Sequence, residues 1–420
     1  MVLYSSESLS VPVPQISLLD LLSAVPLETL IGKEAAIAIL IPDSYLSEIQ
    51  LTDSASEALA MQRLLTVVHL CSTVTIVWEP AAARRVLASP SVHPLAGLTL
   101  CLNGVEHKLP IDNLRDKRLT LEKARSTVLK HRLQADMFAD SQMIVCVDHR
   151  GFPPPLDLYG KDSGQLLGED QFESFVDDLL SQHSLGRLDG PAMAKRRLPT
   201  AVIIRELIQN SDDHGKTNVD GEPLKPNSLR GLVIKRVMQK RIMPTKEALK
   251  DSAPLACLEL SVFDSGIGYY DSYRRQLTRG QARGNAVIVG ESQVDILRQY
   301  PLGPDVPMEV ERAILLKCLG RHSDSSIPDP RPGHRGMGLY EVLRATQFMG
   351  GLFEVRTGRF HGYRSFLKGD WQTQLEPHTS MTRPGKPKPS LLDFTQPMLT
   401  RPTLQEQLIG TVVRVVIPLS

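Results

Sequence analysis

Apolar residues in the first 150 positions follow two patterns in turn, one typical of strands and one typical of helices. Residues 35–41 form a continuous apolar run that Pro42 ends, which is typical of a buried strand. Ser54 or Ser56 is a good N-cap, and a helix is predicted behind it. Its apolar face comprises Leu59, Leu64, Leu65 and Val68. The further predicted elements are a strand at 73–78, a short helix at 81–87 and a strand at 98–102. This order predicts a small α/β domain with parallel strands, of unknown role, over residues 1–150.

The following stretch predicts a boundary between two domains. Residues 119–138 form a helical pattern rich in lysine and arginine, and residues 143–147 form a short apolar strand pattern. Residues 170–184 predict an amphipathic helix. Residues 186–199 are polar and basic, and glycine and proline break them. We therefore place a helical linker at 151–195, and a second domain after it.

The second domain opens with a helix that carries a polar stripe. Residues 201–214 have apolar residues at helical spacing, and Gly215 stands in the position that commonly ends a helix. The stripe consists of Glu206, Asn210 and either Asp213 or His214. A surface helix would show the same pattern, so the stripe alone does not decide between structure and function. His214 fits a helix-end or surface group better than a catalyst.

Two glycine-rich turns follow later in the chain. A strand pattern at 231–237 and a clearer one at 255–263 come first, and the latter runs directly into Asp264-Ser-Gly266-Ile-Gly268. The second turn, Gly333-x-x-Gly336-x-Gly338, stands immediately before an apolar helical pattern. Glycine lets the backbone approach a ligand closely, and a helix N-terminus offers N–H groups to an anion. This turn therefore indicates phosphate binding, although such turns are common. The chain closes with a predicted hairpin at 352–357 and 363–367 and a strand at 410–418.

Composition excludes some classes of protein. With 420 residues, 42% hydrophobic and 23% charged, the chain resembles an ordinary globular protein of two or three domains. Its net charge of +1 argues against wholesale nucleic-acid binding. The five cysteines are widely spaced without a CxxC pair, which indicates buried thiols in a reducing compartment. No signal peptide and no apolar run long enough for a membrane span are recognisable, so we predict a soluble cytoplasmic protein.

Four motifs occur in a fixed order along the chain, and together they resemble those of a known superfamily. They are the helix with Glu206 and Asn210, the strand ending in Asp264-x-Gly266-x-Gly268, the Gly333–338 loop that opens a helix, and the last strand with Gly410-Thr411. Together they resemble the GHKL ATPase superfamily, the group of gyrase, the ninety-kilodalton heat-shock chaperone, sensor histidine kinases and mismatch-repair ATPases. The resemblance covers residues 190–420. It implies an α+β protein whose domain 196–420 is a GHKL-type α/β sandwich, a mixed sheet covered by helices, with an ATP lid at 269–332.

The resemblance also implies roles for single residues. Asn210 would hold the Mg²⁺ that bridges the ATP phosphates, and Glu206 would be the general base that activates water. Asp264 would accept the adenine amino group, with Asp213 and Thr411 nearby. The residues that would approach the base or cover the phosphates are Gly266, Gly268, Gly333, Gly336 and Gly338. Arg335 either contacts a phosphate or points to solvent.

Three functions remain open on these motifs. The first is a standalone ATPase switch whose nucleotide state controls a protein partner or a homodimer. The second is a histidine- or serine-type kinase; His131 is a poor phosphoacceptor candidate because Arg132 replaces the acid that the family has there. The third is an ATP-binding module without useful hydrolysis. The chain stops at Ser420, just after the last strand, which disfavours a topoisomerase or mismatch-repair function.

Overall fold

The structure, a computed structural model, combines helices with two β-sheets and belongs to the α+β class. It describes residues 13–22, 27, 36–49, 54–129, 141–148, 154–161, 165–183, 190–218, 222–224, 228–239, 255–273, 307, 315, 318–319, 338–366 and 407–419. Within these ranges, no helix has both the length and the apolar character that crossing a membrane requires.

The first sheet is parallel and belongs to the N-terminal unit, which runs from β1 to α5. Its strands lie side by side in chain order: β1 (Gln15–Ser17), β2 (Ala36–Ile41), β3 (Thr73–Trp78) and β4 (Glu106–Lys108). Its helices are α1 (Tyr45–Ile49), α2 (Ser54–Leu70), α3 (Pro80–Ala88), α4 (Pro94–Cys101) and α5 (Leu114–Leu129), with 3₁₀ turns at Leu18–Leu22 and Pro90–Val92. The predicted strands β2 and β3, the helices α2 and α3 and the parallel pairing are therefore confirmed.

One prediction for this unit is wrong. Residues 98–102 were expected to form a strand, but the chain is helical from Pro94 to Cys101. All eight residues of α4 are buried, so the helix has no polar face that would reveal its period. Pro94 stands in its first turn, where a proline is well tolerated.

The second sheet is antiparallel throughout its described strands, in the order β5-β6-β7-β10-β8-β9. These strands are β5 (Ser141–Val147), β6 (Leu229–Gln239), β7 (Leu255–Asp264), β8 (Leu352–Gly358), β9 (Phe360–Ser365) and β10 (Leu408–Pro418). The expectation of a mixed sheet is wrong for these strands. Residues 143–147, which were assigned to the first domain, pair with β6 and so form the edge strand of the second sheet.

Helices cover one face of the second sheet, and the N-terminal unit covers the other. The helices are α6 (Glu169–His183), α7 (Gly190–His214) and α8 (Gly338–Phe348). Leu260 of β7 and Val415 of β10 belong to the core that includes residues of these helices. The neighbouring Phe263 and Val412 belong to the core of the N-terminal unit. Because successive side chains of a strand alternate between faces, even-numbered residues of β7 point to the helices.

Two local predictions need adjustment. Residues 186–199 were expected to be broken, yet α7 is helical from Gly190 onward and contains Pro199. A proline costs one helical hydrogen bond, which the packing of α7 against α6 and α8 offsets here. The predicted hairpin exists, but its turn is at Gly358–Arg359, because Thr357 pairs with Phe360. Gly358 has φ +55°, which favours glycine in a tight hairpin turn.

Candidate functional site

A pocket opens where β7 and β10 meet the C-terminal half of α7. The space between its lining residues that no atom fills is about 350 Å³, and this volume includes open solvent. It is lined by Leu207, Asn210, Ser211, His214, Val262, Asp264, Gly268, Tyr269, Thr411 and Val413. Apolar side chains from the sheet and from α7 thus form its walls, and a few polar groups converge on it, as is common for small-molecule sites.

Asp264 is the buried acid of this pocket. It is the last residue of β7, on the helix-covered face, and it lies between Thr411 of β10 and Arg230 of β6 in the sheet register. Its Oδ1 accepts the N–H of Gly266 at 2.8 Å, and only 8% of the residue is exposed. Burial raises the pKa of Asp264 to about 6, against the opposing effects of the Gly266 N–H and the Arg230 guanidinium. At neutral pH the group is a buried carboxylate, an acceptor suited to an N–H donor.

Two glycines let the end of α7 approach the end of β7. A Cβ on Gly266 would lie 2.6 Å from the Cα of Gly215 and 2.7 Å from the carbonyl oxygen of His214. A Cβ on Gly215 would lie 2.7 Å from the Cβ of Asp264. Gly215 does follow α7 as predicted, but its φ is not positive, so close approach rather than a left-handed cap requires glycine there.

Thr357 of β8 connects the Gly268 and Thr411 motifs. Gly268 has φ +76°, and a Cβ there would lie 2.7 Å from the Oγ1 of Thr357. The same oxygen accepts the N–H of Tyr269 at 3.0 Å and the hydroxyl of Thr411 at 3.3 Å. Thr357 therefore fixes the turn after Asp264 against β10, and Gly268 provides the space for it.

Glu206, Asn210 and Gly338 meet at the other end of the polar stripe of α7. Gly338 is the first residue of α8 and the last glycine of the predicted phosphate-binding motif. A Cβ on Gly338 would lie 2.7 Å from the Oε2 of Glu206 and 3.3 Å from the Nδ2 of Asn210. The Nδ2 of Asn210 is buried and has no hydrogen-bond partner among the described residues. A carboxylate, an amide and a helix N-terminus therefore converge within one turn of α7.

A buried ionic network lies behind the pocket. Arg230 is 2% exposed and contacts both oxygens of Asp148, at 2.7 and 2.8 Å, and Asp212 at 3.0 Å. Tyr159 accepts from Arg230 and donates to Asp212, both at 2.9 Å. Burial alone would raise the pKa of Asp212, but Arg230 and Lys216 hold it below its ordinary value. Arg230 also reaches the Oγ of Ser211, a lining residue, at 3.4 Å.

Two residues of the polar stripe, Asp213 and His214, are related to the pocket in other ways than expected. Asp213 is exposed and does not line the pocket; the neighbouring Asp212 is the acid that points inward, toward Arg230. His214 is at the end of α7 as expected, but it also lines the pocket, and its Nδ1 lies 2.9 Å from the Oγ of Ser272. Gly333, Arg335, Gly336, His131 and nearly all of the predicted lid at 269–332 are outside the described residues.

Comparison with models of known protein families, with curated proteins and with solved structures finds no match to this chain. The case for a function therefore rests on the residues and their geometry.

Sequence reasoning missed several residues of the site. Tyr269 and Ser211 directly follow the predicted Gly268 and Asn210, so a search of the neighbours of each motif would have found them. His214 was named in the polar stripe, one turn after Asn210 on the same face, but it was expected to be a helix-end or surface group and not a lining residue of the pocket. Arg230 and Thr357 had no local signal, because only the pairing of β6 and β8 with distant strands brings them to the site.

Proposed function

We propose that this protein binds ATP with Mg²⁺ in the pocket between α7 and the second sheet, as an ATPase switch whose nucleotide state controls a partner protein or self-association. One observation carries the proposal. The polar stripe of α7 leads from Glu206 and Asn210, which meet the start of α8, to a pocket that contains Asp264. A site for phosphates and a site for the nucleobase on one helix face suit a nucleoside triphosphate.

The Asp264 end fits an adenine ring. Leu207, Val262 and Val413 provide apolar walls for a flat base, and Asp264 provides an acceptor for its amino group. Guanine has a carbonyl oxygen at the equivalent position, which a buried carboxylate would repel. ATP is therefore favoured over GTP.

The Asn210 end fits a phosphate group and its metal ion. The Nδ2 of Asn210 is buried without a hydrogen-bond partner in the described part of the chain, and the amide oxygen of Asn210 is of the type that Mg²⁺ prefers. The first residue of α8, Gly338, lies beside Asn210, and the dipole of a helix favours an anion at its N-terminus. When bound, Mg²⁺ would supply charge neutralisation to the phosphate oxygens.

Glu206 has the position of a general base for hydrolysis. Its carboxylate lies one turn from Asn210 and next to Gly338, at the phosphate end of the stripe. In the proposed reaction Glu206 accepts a proton from the attacking water while the bond from the water oxygen to the γ-phosphorus forms. The bond from this phosphorus to the ADP oxygen breaks, and ADP and inorganic phosphate leave.

The assignment of the second domain to the GHKL-type fold is part of the same proposal. A sheet with α6, α7 and α8 on one face, and with the ligand between α7 and the sheet, supports a GHKL-type sandwich, while the antiparallel pairing of the described strands departs from the mixed sheet of that fold.

Glu206→Gln tests the assignment of the base. Because the amide cannot accept the proton, phosphate release from ATP should fall at least about 100-fold while the affinity for ATP remains. Glu122→Gln is the matched control, since it makes the same change on an exposed side chain of α5 and should release phosphate as fast as wild type. Hydrolysis by Glu206→Gln at the wild-type rate would show that another group is the base. Labelled phosphate that stays on the protein would instead favour the kinase hypothesis.

A further inference from the structure

Strand β10 is irregular immediately before the pocket. Its pairing with β8 shifts between Leu408 and Thr411, so the ladder leaves out Ile409 and Gly410. Gly410 has φ +69°, and a Cβ there would collide with the carbonyl oxygen of Asp264. The next residue, Thr411, lines the pocket. The backbone groups of this bulge therefore need hydrogen-bond partners from elsewhere.

Helix α2 of the N-terminal unit supplies most of these partners. The Oγ1 of Thr66 accepts the N–H of Ile409 at 3.1 Å. The Nε2 of Gln62 donates to the carbonyl oxygens of Ile409 and Gly410, both at 3.2 Å. The N–H of Gly410 donates to the carbonyl oxygen of Gly266 at 2.7 Å, within the turn that follows Asp264. Two side chains of α2 and the Gly266 turn thus hold the bulge from opposite sides.

The burial of these side chains indicates that the contacts are specific. Gln62 is 0% exposed and Thr66 is 1% exposed, and Met61 and Leu65 beside them are core residues. A buried amide or hydroxyl destabilises a protein unless it is hydrogen-bonded. An apolar face on α2 would have been enough to pack the N-terminal unit against the sheet. Gln62 and Thr66 instead bond backbone groups of one bulge next to the pocket, and the Nε2 of Gln62 also reaches the carbonyl oxygen of Arg356 on β8 at 3.4 Å.

We propose that Gln62 and Thr66 are positioning residues for the adenine end of the pocket, so that nucleotide binding is coupled to the docking of the N-terminal unit. This inference rests on the proposed function. Thr66 acts through Ile409, and Gln62 acts through Ile409 and Gly410. Gly410 contacts the turn after Asp264 and directly precedes Thr411. By linkage, a nucleotide that prefers the ordered bulge also strengthens the contact with α2, to the same extent. The N-terminal unit would then respond to nucleotide binding.

Thr66→Val tests this coupling, with Thr99→Val as its matched control. Both changes replace a buried threonine of the N-terminal unit with a residue of the same shape. Among the described residues, however, the hydroxyl of Thr99 bonds only to Ala96 of its own helix. Both variants should lose stability to urea. Only Thr66→Val should bind a non-hydrolysable ATP analogue more weakly, by about three- to tenfold, because the N–H of Ile409 loses its acceptor.

Hydrogen exchange on wild type gives an independent second readout. Addition of the analogue should slow exchange of the Ile409 amide and of the amides of α2, which do not touch the pocket. Wild type that binds no analogue would refute the proposed function and the inference with it. Wild type that binds, with Thr66→Val binding as tightly as Thr99→Val and exchange in α2 unchanged, would overturn only the coupling.

Discussion

Asp264→Asn should stabilise the protein and weaken ATP binding at the same time. The carboxylate of Asp264 is desolvated by the core, and its pKa is about 6 instead of 3.8. A difference of about 2 pKa units corresponds to about 3 kcal/mol of unfavourable free energy for the charged form at neutral pH. Asparagine has no charge to desolvate, and its oxygen can still accept the Gly266 N–H. Less suitable hydrogen bonding of the amide should cost about 1 kcal/mol. We therefore expect the free energy of unfolding of the variant to exceed that of wild type by about 2 kcal/mol at about pH 7.5.

The pH dependence has a definite sign. Because the pKa of Asp264 is higher in the folded state than in the unfolded chain, folding binds protons between these two pKa values. Wild type therefore loses stability as the pH rises through this interval, and the variant lacks this loss. The stability gain of the variant should grow by about 2 kcal/mol between about pH 4.5 and about pH 7.5.

Urea unfolding of both proteins at the two pH values measures this difference. The contributions of the other titrating groups to the free energy of unfolding cancel in this difference, because wild type and variant share these groups. A gain that is the same at both pH values would mean that Asp264 titrates as an ordinary exposed acid, and the desolvation argument would be wrong. In the same preparation, ATP affinity should fall at least about tenfold, since the amide presents a donor to the adenine amino group. Retention of full affinity would refute the adenine assignment.

Two further predictions use matched pairs of residues. Gly338→Ala should displace the Glu206 carboxylate and lower the rate of ATP hydrolysis at least about tenfold. Gly168→Ala is the control, because its Cβ would meet nothing closer than 3.9 Å, and it should hydrolyse ATP at the wild-type rate. Equal rates for the two variants would contradict the close approach at the start of α8. Asp212→Asn should cost about 1–3 kcal/mol in urea unfolding, because Arg230 keeps Asp148 but loses its second carboxylate. Asp213→Asn, on the exposed neighbour, should change stability by less than about 0.5 kcal/mol.

The parts of the site that depend on local sequence were predictable. Glu206 and Asn210 share a face because residues four apart on a helix lie one turn apart, whatever the rest of the fold does. Strand β7 alternates clearly, so its end at Asp264 could be located from the sequence. Gly338 could be placed at the start of α8 because the apolar helical pattern begins there. Their convergence was not derivable from local pattern and came from the resemblance alone.

The parts that depend on distant pairing were not predictable. Helix α4 is buried on all sides, so its sequence carries no period that separates a helix from a strand. Strand β5 was assigned to the first domain because its position in the second sheet is decided by β6, far along the chain. Thr66 and its partner Ile409 are 343 positions apart. A polar residue on α2 is read from sequence as a surface residue until its partner is known, and Gln62 and Thr66 were missed for that reason.

The most direct test of the central claim is a calorimetric titration of the full chain with a non-hydrolysable ATP analogue, with and without Mg²⁺. We predict saturable binding of one analogue per chain, which requires Mg²⁺ for full affinity, is competed by ADP and not by GTP, and is weakened by Asn210→Ala. Absence of binding at millimolar analogue with Mg²⁺ present, or binding that Asn210→Ala and Asp264→Asn both leave unchanged, would contradict the assignment of this pocket to ATP.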